Sequence, residues 1–215
     1  MPRKQGWPAL PPGVYTGGMT AANKTLANQK LADWLTGQLL IAMPAMQDPR
    51  FVQSVILICA HNPDGAMGVV LNRPIKAPKF PELLQQLGIE PNPPRRLLTV
   101  GTGGPVDDQR GFVLHSPDWT GEGSLDIDGR HSLSAHLDIL RAVAEGGGPE
   151  RARLVLGYAG WGAGQLDAEM MQNAWLNVPA DENIIYDTDY NTKWQRALAQ
   201  LNIDPAQLAA GAGRA

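Results

Sequence analysis

The apolar positions change period along this chain, and the changes mark out its elements. Two stretches read as strands: Gly37–Met43, closed by Pro44, and Val52–Ala60, whose run Val-Ile-Leu-Ile-Cys-Ala is apolar on both faces. Short apolar runs bounded by turn formers predict buried strands in the middle of a covered sheet. His61-Asn62-Pro63-Asp64-Gly65 predicts a tight turn, because Pro63 presets φ and Asp64-Gly65 tolerate left-handed angles. Ala66–Leu71 then returns as the second arm of a hairpin. Phe80–Leu87 predicts a short helix stopped at Gly88. Leu97–Gly101 and Gly111–His115 predict strands around a turn over Gly101–Gln109, and Ser124–Ile127 another strand. Ser134 suits the N-cap of a helix through Glu145, with Leu137, Leu140 and Val143 on one side, ended by Gly146-Gly147-Gly148-Pro149. Ala152–Tyr158 reads as a buried strand. Gly164–Leu176 reads as a helix with Leu166, Met170 and Ala174 at i, i+4, i+8. Asn183–Tyr186 reads as a short strand, and Asp189–Leu201 as a last amphipathic helix carrying Trp194, Leu198 and Leu201.

The predicted order is β-β-β-α-β-β-β-α-β-α-β-α. Hairpins come early and helices late, which favours an α/β fold of the α+β type on a mixed sheet over a doubly wound parallel one. Three regions are expected. Residues 1–36 form an N-terminal extension, loop plus a short helix at Thr25–Leu35; 37–204 form a single domain; the Ala/Gly-rich 205–215 form a flexible tail.

Composition narrows the classes. The 215 residues include 24 Gly and 18 Pro, and 18% are charged, against averages of about 12% for Gly plus Pro and about 25% for charge. The glycines lack a period of three, which excludes collagen, and 43% hydrophobic content with a net charge of −3 argues against wholesale disorder. No apolar run approaches the ~20 residues that span a bilayer, and the first residues lack the apolar stretch of a signal peptide. The single Cys59 cannot close an intramolecular disulfide, so a reducing, cytoplasmic compartment is expected. Residues 1–36 carry +3, leaving −6 on the remainder. That balance disfavours nucleic acid as a direct partner.

Three clusters can carry chemistry. In Cys59-Ala60-His61-Asn62, alternation puts Cys59 and His61 on one face if the strand reaches residue 61. An imidazole beside a thiol would activate it as a nucleophile or a redox-responsive group; the alternative is a small buried hydrophobe. In Gly101-Thr102-Gly103-Gly104-Pro105, backbone N–H groups of Gly103 and Gly104 can form an anion nest, or the glycines can simply serve a tight turn. The Gly157–Leu166 stretch leaves a strand and opens a helix, where anions are held. Its Gly-x-x-Gly-x-Gly-x-Gly spacing is not that of a dinucleotide fold. The four histidines show no metal-ligand spacing, so no metal and no cofactor are expected.

These segments, taken in order, resemble the AlgH/YqgE family of bacterial proteins. The resemblance rests on Gly37–Asp48, Cys59–Asn62 with Gly65–Pro74, Gly103–Pro105 with Arg110–His115, and Gly157–Trp161 with Gly164–Leu166 and Asn173–Leu176. It implies a strongly bent mixed sheet, partly barrel-like, with flanking helices. Family members are often called transcriptional regulators, without an established catalytic activity, and the matching Cys59 is the natural suspect for redox sensing. The expectation is a regulator that binds a protein partner or a small anionic ligand at a cleft formed by the motif loops. Cys59, His61, Asn62, Gly103, Gly104, Arg110, His115, Trp161 and Gln165 are its candidate contacts, with Arg110 as anion partner and Trp161 as stacking face. The alternatives are a direct DNA-binding regulator and an enzyme with Cys59 as nucleophile and His61 beside it.

Overall fold

A computed structural model describes residues 35–121 and 123–203. Residues 25–34 of the expected first helix and the tail from 205 lie outside the described residues. The elements, in chain order, are β1 (Gln38–Ala42), β2 (Val55–Asn62), β3 (Gly65–Val70), α1 (Phe80–Gln86), β4 (Val100–Thr102), β5 (Val106–His115), β6 (Ser124–Asp126), β7 (Ser132–Ser134), α2 (Leu137–Ala144), β8 (Ala152–Gly162), α3 (Gln165–Met171), β9 (Trp175–Pro179), α4 (Glu182–Tyr186) and α5 (Lys193–Ala199).

The strands join in one curled sheet, ordered β6-β7-β5-β8-β3-β2-β1-β9, with β4 attached to β8. Every pairing is antiparallel except β4 with β8. The sheet is therefore mixed, the helices flank it, and the α/β expectation holds. One face carries a core of Leu39, Leu57, Val69, Phe112 and Val155, closed by Ile184 and Ile185 of α4 and Trp194 and Leu198 of α5. The other face carries two cores. One holds Leu40, Ile56, Ile58 and Trp161 with Leu166 of α3. The other holds Val113 and Leu154 with Phe80 and Leu84 of α1 and Ile139 and Leu140 of α2. Alternation along β1 and β5 divides neighbours between the faces, as period-2 strands require.

Several elements differ from the sequence-based expectation. Asn183–Tyr186 is helix, not strand: the Asp181 side chain accepts a hydrogen bond from the Asn183 N–H at 2.8 Å and caps the turn. The helix expected to run to Leu176 stops at Met171. Asn173 adopts a left-handed φ of 56°, after which Trp175 opens β9. Ser134 is not a helix cap but the end of β7, its hydroxyl engaged by His115 and Ser124 at 2.8 and 2.7 Å; the helix starts at Leu137 behind His136. β8 runs through the glycine motif to Gly162, and β5 already begins at Val106, inside the expected turn.

Candidate functional site

A one-residue irregularity decides the geometry around Cys59. In the β2–β3 ladder Ile58 faces Gly68, but Ala60 faces Met67, so the register shifts between them. Such a bulge resets the alternation. Cys59 points into the core with Leu57 and Met67, whereas His61 pairs with Ala66, which belongs to the opposite face. The expected Cys59–His61 pair is thus split across the sheet. Cys59 is 1% exposed, and burial pushes its thiol pKa up to about 12. A thiol so raised holds almost no thiolate near neutrality.

β8 carries a second reset. Val155 and Tyr158, three residues apart, both pack on the α4–α5 core, while Ala159 and Trp161 face the α3 core. Gly157 between them has φ +72°, which a side chain seldom adopts. The chain from β4 to β5 passes over this point, pairing with one edge of β8 at Thr102 and the other at Val106. Gly104 makes the passage possible: a Cβ there would lie 2.1 Å from the Tyr158 carbonyl carbon. The Gly103 N–H is spent on the Leu156 carbonyl at 2.7 Å and is no free anion donor. The glycine pair thus has a topological role that spacing alone does not reveal.

Trp161 and Gln165 do come together, with partners the sequence reading missed. The Trp161 and Trp175 indole N–H groups both donate to Glu169 Oε2, at 2.9 and 2.7 Å. Gln165 donates to Glu169 Oε1 at 2.9 Å and accepts from the Gly162 N–H at 3.0 Å. Trp161 meets Trp175 edge-on at 6.0 Å between centroids, and Trp175 meets Phe51 likewise at 5.7 Å. Arg50 lies over Phe51 and is held by Asp48 in a two-pronged ion pair. The Arg50 hydrogen bonds hold the Asp48 carboxyl below its ordinary pKa. Together these groups wall a cleft of about 320 Å³, whose far side is Pro105, Val106 and Gly160. The legible signals were Gln165 and Glu169 one helical turn apart and Asp48-x-Arg50. Trp175 was hidden by its helical reading.

The other candidates lie elsewhere. His61 is buried under α3 with Nε2 3.7 Å from Asp167, on the same face as Trp161 with Ala66 paired to both. Asn62 caps the hairpin, accepting from the Asp64 N–H at 2.9 Å. His115 is at the far end of β5, between the Ser116 carbonyl and the Ser134 hydroxyl, and burial lowers its pKa. Arg110 is on the α4–α5 face over Phe112 and does not line the cleft. Among the described residues, no three His, Cys, Asp or Glu side chains are grouped to hold a metal, and no helix is long and apolar enough to cross a membrane.

A family model described as AlgH-like matches residues 39–206. The chain belongs to the AlgH-like family. A UPF0301 protein of Rhodospirillum rubrum is 50% identical over 187 residues, 87% of this chain and 97% of the relative. One of Gluconobacter oxydans is 49% identical over 183 residues, 84% and 98% respectively. The solution structure of AlgH from Pseudomonas aeruginosa is similar at a TM-score of 0.70 and 41% identity, covering 92% of this chain and 100% of that one. A protein from Corynebacterium diphtheriae, at 18% identity and a TM-score of 0.63 over 81% of this chain and 91% of its own, shares the fold. The curled sheet of this AlgH-like chain is thus a framework found at low sequence identity.

Proposed function

We propose that this AlgH-like protein is a cytoplasmic regulator that works by binding, without catalysis, and that its binding site is the Trp161–Trp175 cleft. The observation that carries the reading is the fixed pair of indoles. Glu169 takes both N–H groups on one oxygen, so two large aromatic edges stand preorganised beside an open space. Preorganised aromatic surface contributes binding energy at low ordering cost. The volume of about 320 Å³ is at the small end of the ~300–1,000 Å³ range of small-molecule sites, and suits a small planar ligand or one side chain of a partner. Asp48, Arg50 and Glu169 give the rim a balance of −1, which favours neutral or cationic groups over the anion first expected.

Two alternatives have less support. Thiol chemistry at Cys59 would need a thiolate, and the burial of that side chain opposes it. Direct DNA contact would need cations, and the chain beyond residue 36 carries −6. The test replaces Phe51 and Trp161 by Ala in the full chain, expressed from its own locus. The double variant should keep a cooperative thermal transition yet lose the small molecules and proteins that co-purify with the wild type. A variant that retains all of them and the wild-type cellular phenotype overturns the reading.

A further inference from the structure

β5 and β8 lose register between Val106 and Gly111, and Asp107 takes a left-handed φ of 50°. This excursion delivers Arg110 to the face opposite the α3 core. Its guanidinium carbon lies 5.1 Å from the Phe112 ring centroid, and Phe112 meets Tyr158 edge-on at 6.0 Å. Arg110 is 4% exposed. A guanidinium has five N–H donors, and buried donors are ordinarily satisfied. Here Nη1 has only Asp107 Oδ2 at 3.8 Å, beyond hydrogen-bond distance, while Nε and Nη2 have no partner among the described residues.

Which two atoms are vacant matters. The Nε and Nη2 hydrogens lie on one edge of the planar group, where two parallel N–H bonds take the two oxygens of one oxyanion. This chain uses that same edge elsewhere: Arg50 Nε and Nη2 grip Asp48 at 3.0 and 2.6 Å. At Arg50 the edge is paired and exposed; at Arg110 it is unpaired and buried. Burial also lowers the Arg110 pKa, with Asp107 opposing, so a second anion would restore the balance.

We propose that the Nε–Nη2 edge of Arg110 binds the carboxylate of a small organic monoacid, at a site separate from the aromatic cleft. Asp107, 3.8 Å from Nη1, repels a ligand in proportion to its charge, so a monoanion is favoured over a dianion such as phosphate. The half-buried Tyr158 ring, packed edge-on against Phe112, is the apolar group nearest that edge for the remainder of the acid.

The experiment follows arginine Nε–H resonances in the full, ¹⁵N-labelled chain, at an ionic strength held constant with sodium chloride. Sodium acetate and sodium phosphate are the probes. One Nε–H, identified by contacts to the Phe112 ring, should shift and saturate with acetate at a concentration at least tenfold lower than with phosphate, and its exchange with water should slow. Arg110→Lys keeps the charge but lacks the edge, and should abolish the saturable acetate response. Trp161→Phe should leave it intact, which separates this site from the cleft. The proposal is overturned by a non-saturable acetate response, by tighter phosphate binding, or by acetate binding that survives Arg110→Lys. The ring-based assignment needs no variant, so the wild-type titration decides even if Arg110→Lys does not fold.

Discussion

Replacing Glu169 by Ala tests whether one carboxylate holds the cleft together. The change removes the acceptor of two indole N–H groups, on side chains 7% (Trp161) and 2% (Trp175) exposed. A buried donor left unsatisfied costs about 1–3 kcal/mol. The adjoining cleft admits water to one side of each indole, which places both in the lower half of that range. Gln165 is exposed and adds little. The expected loss is therefore about 2–4 kcal/mol in total. Glu169→Gln keeps one oxygen as acceptor but exchanges charge-assisted bonds for neutral ones, so about 1–2 kcal/mol should be lost. Urea unfolding followed by circular dichroism supplies both numbers, and the two indole resonances should move in both variants. Trp161→Phe removes one of the donors, so in its background the cost of Glu169→Ala should shrink by about 1 kcal/mol, within the usual coupling of touching residues. If Glu169→Ala stays within about 0.5 kcal/mol of the wild type, or if Glu169→Gln costs as much, the carboxylate is not the clamp and the argument from preorganised indoles fails.

Three further outcomes are expected. Native Cys59, with its pKa near 12, should react with iodoacetamide at least about a hundredfold more slowly than the same thiol in urea at pH 8; an inflection near the free value of ~8.5 would contradict the burial argument. Asp187→Asn should cost about 2–3 kcal/mol at pH 7, less than a fully buried pair because Asp187 is part-exposed. The carboxylate faces buried Lys193 at 2.5 Å and also Arg196. Burial alone would raise the Asp187 pKa, but these two cations bring it below the ordinary value. Its stabilisation is therefore complete above the unfolded pKa of ~3.9 and lost as pH falls through the lower folded value. Wild type and variant should converge there in acid denaturation, and a pH-independent gap would refute the assignment. Gly104→Ala, with its Cβ forced to 2.1 Å from the Tyr158 carbonyl carbon and φ at +155°, should cost at least about 3 kcal/mol through overpacking and backbone strain, measured by thermal and urea unfolding.

Legibility followed the physics of each signal. Leu39 to Ala42 and Val55 to Cys59 declared themselves, since strands buried on both faces leave continuous apolar runs. Helices α2 and α5 were found within a few residues of their ends for the complementary reason, their 3.6-residue period, and α1 by its stop at Gly88. Ile184-Ile185 misled, because β-branched pairs favour strands until a local cap such as Asp181 overrides them. Of the candidate site, Trp161 and Gln165 were legible as a glycine-flanked strand–helix junction. Trp175 and Phe51 were not, because they reach it through β9 and the 48–54 loop, and such convergence is a tertiary fact. The buried cations Arg153 and Lys193 were equally hidden. Arg153 donates to the Ile185 and Leu71 carbonyls at 2.6 and 2.8 Å, partners 32 and 82 residues away.

The bulges explain why chemistry adjacent in sequence does not stay adjacent in space. Period-2 alternation would have set Cys59 beside His61. One inserted residue in β2 sends the thiol into the α4–α5 core and the imidazole under α3. The same kind of reset at Gly157 turns Tyr158 toward Arg110 and leaves Trp161 for the cleft. The consequence is a wall with two uses. A Cβ placed on Gly160, which lines the cleft, would meet the Tyr158 ring at 3.2 Å, and that ring stands edge-on to Phe112 beneath the Arg110 guanidinium. A ligand pressing on Gly160 and an anion seated on Arg110 would thus bear on the same tyrosine from opposite sides. With both sites occupied, the Tyr158 ring is packed between them, next to Gly160 on one side and Phe112 on the other, and contiguous packed groups of this kind are one physical route by which two sites can be coupled.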